Sequence, residues 1–109
     1  MYSIVGAAFN VMKELGPGFH EKPYERALIV ELRLRGLTID QQKSFKLDYK
    51  GVHVGDFIPD LIVNNSVIID TITNIERGQM LNYLRITGLR IGLILNFYKT
   101  KLQWERLAL

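Results

Sequence analysis

Along the first third of the chain, apolar residues recur every three to four positions. Ile4, Ala8, Val11 and Leu15 make one such stripe, and the breaker Gly16-Pro17-Gly18 follows it, so the spacing predicts a first helix ending near Leu15. Tyr24, Ala27, Leu28 and Leu32 make a second stripe. Pro23 is tolerable in the first turn of that helix and Gly36 is a natural stop. Glu21 stands three residues before Tyr24, on the side of the apolar stripe, which is an unusual place for a carboxylate.

The period then changes to two. Phe45, Leu47 and Tyr49 alternate with Lys46, Asp48 and Lys50, the pattern of a half-exposed strand. Lys50-Gly51 marks a turn, and a second strand is expected from about Val52 to Val63. Asn64-Asn65-Ser66 reads as a turn before the short strand Val67 to Asp70. A three-residue loop there sets Val63 opposite Val67 and Asp60 opposite Asp70; a two-residue loop would put the two aspartates on opposite faces. Thr73-Asn74-Ile75-Glu76 fits a capping box that would start a third helix carrying Gln79, Met80, Tyr83 and Leu84 and ending at Gly88. Leu89 to Asn96 is nearly all apolar, as in a central strand covered on both faces. After a turn near Tyr98 to Thr100, a last strand places Leu102 and Trp104 on one side. The order α, α, β, β, β, α, β, β describes an α/β sandwich around a mixed sheet.

At 109 residues the chain is long enough for one domain, residues 1–109, and too short for two. No stretch reaches the roughly 18 apolar residues of a membrane helix, so no membrane partner is expected. Met1-Tyr2-Ser3 leads straight into the amphipathic pattern, unlike a cleaved signal peptide. The absence of cysteine excludes disulfides, thiolate zinc sites and thiol nucleophiles, and fits a cytoplasmic location. The net charge of +3 favours a polyanionic partner only mildly, because no basic run concentrates it.

Nucleophilic triads find little support. His20 and His53 have no serine partner in a nucleophile-elbow context, and Gly16-Pro17-Gly18 lacks the lysine and hydroxyl of a phosphate loop; both histidines read as surface or loop residues. The carboxylates differ. Asp60 interrupts Phe57-Ile58-Pro59-Asp60-Leu61-Ile62-Val63, and Asp70 closes Val67-Ile68-Ile69-Asp70. A charge among covered strand residues costs several kcal/mol unless it is paired or bound to a cation. Two readings follow: hard oxygens converging on Mg²⁺ or Mn²⁺, or strand-end aspartates salt-bridged to Arg or Lys. A Pro-Asp, an acidic residue on the next strand and a lysine two residues later would make a metal-dependent phosphodiester-cutting site. Here the position two past Asp70 is Ile72.

Gly18-Phe19-His20-Glu21-Lys22-Pro23-Tyr24 resembles the G-x-x-E-x-x-Y signature of the GxxExxY protein family, assigned to the PD-(D/E)XK nuclease-like superfamily. Flanking segments are similar too: Lys13 to Gly18, Glu31 to Leu37, Pro59-Asp60-Leu61, Gln79-Met80-Leu81-Asn82-Tyr83-Leu84, and Thr87-Gly88-Leu89 through Asn96-Phe97. The resemblance spans nearly the whole chain. It implies a restriction-endonuclease-like αβ sandwich, with a central mixed β-sheet flanked by helices, and a metal-dependent hydrolase acting on DNA or RNA. It also implies that Glu21, Asp60 and Asp70 hold Mg²⁺ or Mn²⁺, and that Gln79 and Tyr83 form the Q-x-x-x-Y element beside the active site. On the residues alone, Tyr24 reads as a core aromatic, and Gln79 and Tyr83 serve equally well as hydrogen-bonding groups over the sheet.

The departures bear on activity. The family reads acidic-x-Lys where this chain reads Asp70-Thr71-Ile72, and the connection Thr71-Ile72-Thr73-Asn74 is several residues shorter than usual. Asn10 and Met12 stand where many relatives carry Glu and His. Either Ile72 has replaced the lysine, or a lysine-bearing segment has dropped out between Thr71 and Ile72. Lys46 on the neighbouring strand is one candidate substitute. Loss of the ammonium typically costs about 10²-fold or more in rate, by analogy with other transition-state stabilisers. The competing expectations are a catalytically inactive nucleic-acid-binding or regulatory module, and a homodimer through an edge strand such as Lys101 to Leu107.

Overall fold

The computed structural model of the protein describes residues 2–71, 77–97 and 101–109. Two helices open the chain, α1 (Tyr2–Leu15) and α2 (Glu21–Leu34). Five strands follow: β1 (Ile39–Asp40), β2 (Phe45–Tyr49), β3 (Val52–Phe57), β4 (Leu61–Val63) and β5 (Val67–Asp70). Helix α3 (Arg77–Thr87) then leads into β6 (Ile91–Asn96) and β7 (Gln103–Ala108). The expected capping box, the position of Ile72 and the turn near Tyr98 to Thr100 lie outside the described residues.

The main sheet has the order β1-β4-β5-β6-β7, with β5 and β6 parallel and the other pairs antiparallel. Alternation along its strands divides the core in two. Leu61, Val63, Val67, Ile69, Leu93 and Leu95 pack with the apolar stripes of α1 and α2. Ile62 and Ile68 turn the other way, against Met80 and Leu84 of α3. Helices thus cover both faces of a mixed sheet, the sandwich expected from the periodicity. That explains why β4 and β5 are continuous apolar runs: all seven of their residues are buried.

The expected strand Val52 to Val63 is instead two. Residues Ile58-Pro59-Asp60 separate them; Pro59 has no N–H to give a ladder, and the chain leaves one sheet for another at that point. β3 pairs only with β2, in a separate two-stranded ribbon, while β4 joins the main sheet. The period-two pattern of β2 therefore does not mark a core face. Phe45 packs beside α3, but Leu47 and Tyr49 are exposed. The two-residue β1 had no periodic signal. In the last strand, Leu102 is buried just before β7 begins, whereas Trp104 is half exposed on the sheet's edge.

The turn Asn64-Asn65-Ser66 holds Val63 opposite Val67 and Leu61 opposite Ile69, the register of a three-residue loop. Both asparagines take positive φ, a conformation their short polar side chains tolerate. The paired ladder ends at Leu61 and Ile69; Asp60 precedes β4 and Asp70 closes β5, beyond that last pair. Both residues thus reach the same end of the sheet.

Gly92 on β6 lets α3 lie close to the sheet. A Cβ there would stand 2.7 Å from Met80 Cγ and nearer still to its sulfur, and Met80 is fully buried with little room to yield. Gly92→Ala is expected to destabilise the fold by about 2 kcal/mol, seen as a fall of roughly 10 °C in Tm. An unchanged Tm would show that α3 is free to shift. At the other end of the helix's first turn, Arg77 Nε donates to Glu105 Oε2 at 2.6 Å, tying α3 to β7.

Candidate functional site

The turn between α1 and α2 is built around Tyr24. Gly18, at φ 107°, takes a conformation that a side chain would strain, and so brings the chain round into α2. Tyr24, one turn into the helix, is 1% exposed. Its ring stacks on Phe97 at 4.9 Å between centroids and meets Phe19 edge-on at 6.0 Å. Its hydroxyl donates to the Gly16 carbonyl at 2.6 Å and accepts from the Phe19 N–H at 3.2 Å. The aromatic ring expected in the core thus also fixes the turn. Glu21, three residues earlier on the same side of the helix, is positioned by it.

Glu21 and Asp60 meet, and Glu25 joins them. One carboxylate oxygen from each lies within 4.8 Å of the other two. Glu25 is 7% exposed and closes the buried stripe of Leu28, Ile29 and Leu32. Burial pushes its carboxyl above the ordinary 4.5; the Lys22 ammonium, 3.8 Å from Glu25 Oε2, opposes this, while the charges of Asp60 and Glu21 add to it. A carboxylate raised in this way is most favourable to folding below pH 4.5, and its contribution is lost as pH rises through the folded pKa. Glu25→Gln is therefore expected to raise the metal-free Tm at pH 7 to 8, with the gap closing toward pH 4.5. A lower Tm for the variant throughout would contradict this sign.

Thr71 links the acids across the sheet. It is 1% exposed; its N–H donates to Asp60 Oδ2 at 3.3 Å, and its hydroxyl lies 3.2 Å from Glu21 Oε1 and 3.4 Å from Asp60 Oδ2. That one hydroxyl proton serves either carboxylate. An open cleft of about 400 Å³ borders the cluster, lined by Lys22, Glu25, Gln41, Gln42, Ile58, Pro59 and Asp60.

Asp70 is buried but is not among the three converging carboxylates. In β5 it follows Ile69, which faces α2, and so falls on the α3 side with Ile68. There it acts on Tyr83. Burial pushes the Tyr83 phenol above its ordinary 10.0, and the charges of Asp70 and Asp60 push it further, so the hydroxyl keeps its proton as a donor. Tyr83 is stacked on Phe57 at 4.0 Å, and Gln79 lies exposed one turn earlier on α3. Asp60 is felt by both Glu25 and Tyr83, so it joins the two halves of the site.

Sequence reasoning missed Glu25 and Thr71. Glu25 carried a signal, its i, i+3, i+4, i+7 spacing with Leu28, Ile29 and Leu32. Thr71 carried a weaker one, its place on the strand face opposite Asp70. Lys46 sits on the exposed ribbon in register with Asp56 and does not line the cleft. The histidines are surface groups: His20 is exposed, and His53 lies between Asp48 and Asp56 on the ribbon.

Compared with family models, residues 1–107 match the PD-(D/E)XK nuclease superfamily. The chain belongs to that superfamily. No curated protein and no solved structure matches it. The chain carries the Pro59-Asp60 pair and, after Asp70-Thr71, an isoleucine rather than a lysine at position 72. Nucleases of this superfamily generally use divalent metal ions, and the acidic cluster of Glu21, Glu25 and Asp60 is a place where one could be received. Among the described residues no helix is long and apolar enough to cross a membrane.

Proposed function

We propose that the protein is a metal-dependent nuclease of the GxxExxY type, which hydrolyses phosphodiester bonds of DNA or RNA in the cytoplasm, with residues 1–109 acting as one domain. The observation that carries this reading is the convergence of Glu21, Glu25 and Asp60 in a superfamily whose nucleases generally use divalent ions. The donor set suits Mg²⁺ or Mn²⁺. All three are hard carboxylate oxygens, and oxygens bound to one Mg²⁺ at about 2.1 Å stand roughly 3 to 4.2 Å apart. The observed spacing within 4.8 Å needs only a small inward movement. A bound divalent ion would supply an activated water and offset charge on the phosphate.

The chain's own groups have distinct parts in this reading. Glu21, Glu25 and Asp60 bind the ion, and Thr71 holds two of them in place. Asp70 takes part from the α3 side, where its charge adds to burial in raising the Tyr83 phenol above its ordinary 10.0. Tyr83 donates to a phosphate or water, with Gln79 beside it. Metal binding is tested without any nucleic acid. At ten times its Kd, Mn²⁺ is expected to stabilise the protein by about 1.4 kcal/mol, a rise of roughly 6 °C in Tm. Glu25→Gln should remove most of that shift; a full shift in the variant would remove Glu25 from the site.

Ile72 favours one alternative, a module that binds nucleic acid without cutting it. It predicts salt-sensitive binding with no turnover at any Mg²⁺ or Mn²⁺ concentration.

A further inference from the structure

Position 72 offers no ammonium, and Lys46 lies on the exposed ribbon. Among the described residues, one cation does line the cleft. Lys22, in the first turn of α2, shares that lining with Glu25, Pro59 and Asp60, and its Nζ stands 3.8 Å from Glu25 Oε2. The two side chains are unlike in exposure, 69% for Lys22 and 10% for Glu25. The ammonium therefore rests at the open mouth of the cleft, against the inner wall of carboxylates.

We propose that Lys22 supplies the ammonium missing after Asp70, reaching a phosphodiester and its attacking water from α2 instead of from the strand. The proposal rests on the nuclease reading above. Charge balance supports it. Glu21, Glu25 and Asp60 carry three negative charges when ionised; a divalent cation cancels two of them and Lys22 the third. Without Lys22 the cluster would stay net negative toward an anionic substrate. When Glu25 gives its oxygen to a cation, Lys22 loses its local anion, and its flexible four-carbon stem lets the ammonium turn into the cleft. In the hydrolysis, the water oxygen bonds to phosphorus and the bond from phosphorus to one sugar oxygen breaks. One proton leaves the water for solvent and one reaches the leaving oxygen from solvent. Lys22 takes no proton in this step; it donates hydrogen bonds that strengthen as charge builds on the phosphate.

The chain has no cysteine, so Lys22→Cys creates a unique thiol that 2-bromoethylamine converts to a lysine-like side chain. Cleavage of a labelled oligonucleotide with Mn²⁺ is expected to fall about 10²-fold in Lys22→Cys and to recover to within about tenfold of wild type after aminoethylation. Treatment with iodoacetamide, which adds no charge, should leave it low. The Mn²⁺-induced rise in Tm without nucleic acid should persist in Lys22→Cys, because the ammonium is not a ligand. Cleavage by the untreated variant within about threefold of wild type would overturn the assignment. So would loss of the Mn²⁺ shift, which would mark Lys22 as a prop for the carboxylates. A wild type showing neither cleavage nor a Mn²⁺ shift would overturn the nuclease reading, and this inference with it.

Discussion

Asp60→Asn is expected to cut metal-dependent cleavage sharply or to background while leaving the fold in place, the largest functional effect expected from a single substitution. Asp60 converges with Glu21 and Glu25, and its charge also acts on Tyr83. In the proposed site it is a metal ligand, so removing its charge weakens both ion binding and the field on the reacting phosphate. The rate on labelled DNA or RNA should fall by about 10²- to 10³-fold or to background, as when comparable transition-state stabilisers are removed. The choice of variant matters. Asp60 Oδ2 accepts from the buried Thr71 N–H, and Asp60→Ala would leave that donor unpaired at a cost of about 1–3 kcal/mol. The amide oxygen of asparagine can still accept it. Circular dichroism and Tm should therefore stay near wild type for Asp60→Asn and fall for Asp60→Ala, with cleavage lost in both. Cleavage equal to wild type in both variants would expose a contaminant and sink the nuclease reading.

The largest structural effect is expected at Tyr24. Truncation to Ala removes a ring that is almost wholly buried, with its stack on Phe97 and its edge contact to Phe19. Loss of a buried aromatic costs about 3–5 kcal/mol, against a total stability of about 5–15 kcal/mol for a typical domain. Tyr24→Ala should therefore unfold at temperatures lower by at least roughly 12 °C, or fail to accumulate as folded protein. Tyr24→Phe separates the hydroxyl from the ring. It leaves the Gly16 carbonyl and the Phe19 N–H to find water, at a cost of about 1–2 kcal/mol. Because those bonds fix the turn before Glu21, Tyr24→Phe should also weaken Mn²⁺ binding in the thermal-shift measurement. Full stability for Tyr24→Ala would contradict the burial on which this rests.

The Gly18, Glu21 and Tyr24 spacing is now physically accountable. The glycine turns the chain at positive φ, the glutamate enters the cluster, and the tyrosine one helical turn later bonds back to the loop. This was legible because all three residues lie within seven positions of one another. The register of β4 against β5 was legible for a similar reason. A three-residue loop dictates register, and Val63 indeed faces Val67. The break at Pro59 was less visible, since an unbroken apolar run conceals a change of sheet.

Helix spacing, strand alternation, turn residues and the superfamily's motifs all depend on neighbours a few positions apart, so the sequence by itself determined the helices, most of the strands and their sandwich arrangement. Which carboxylates converge depends on contacts between distant segments. Thr71 meets Glu21 across 50 positions, and Glu25 enters the cluster only because α2 packs over the end of the sheet beside Asp60. Asp70 is carried to the opposite face by a strand alternation whose direction is set by which helix covers which side. Local periodicity records that a residue is buried, but only the packing of α2 and α3 on opposite faces decided which carboxylates it meets.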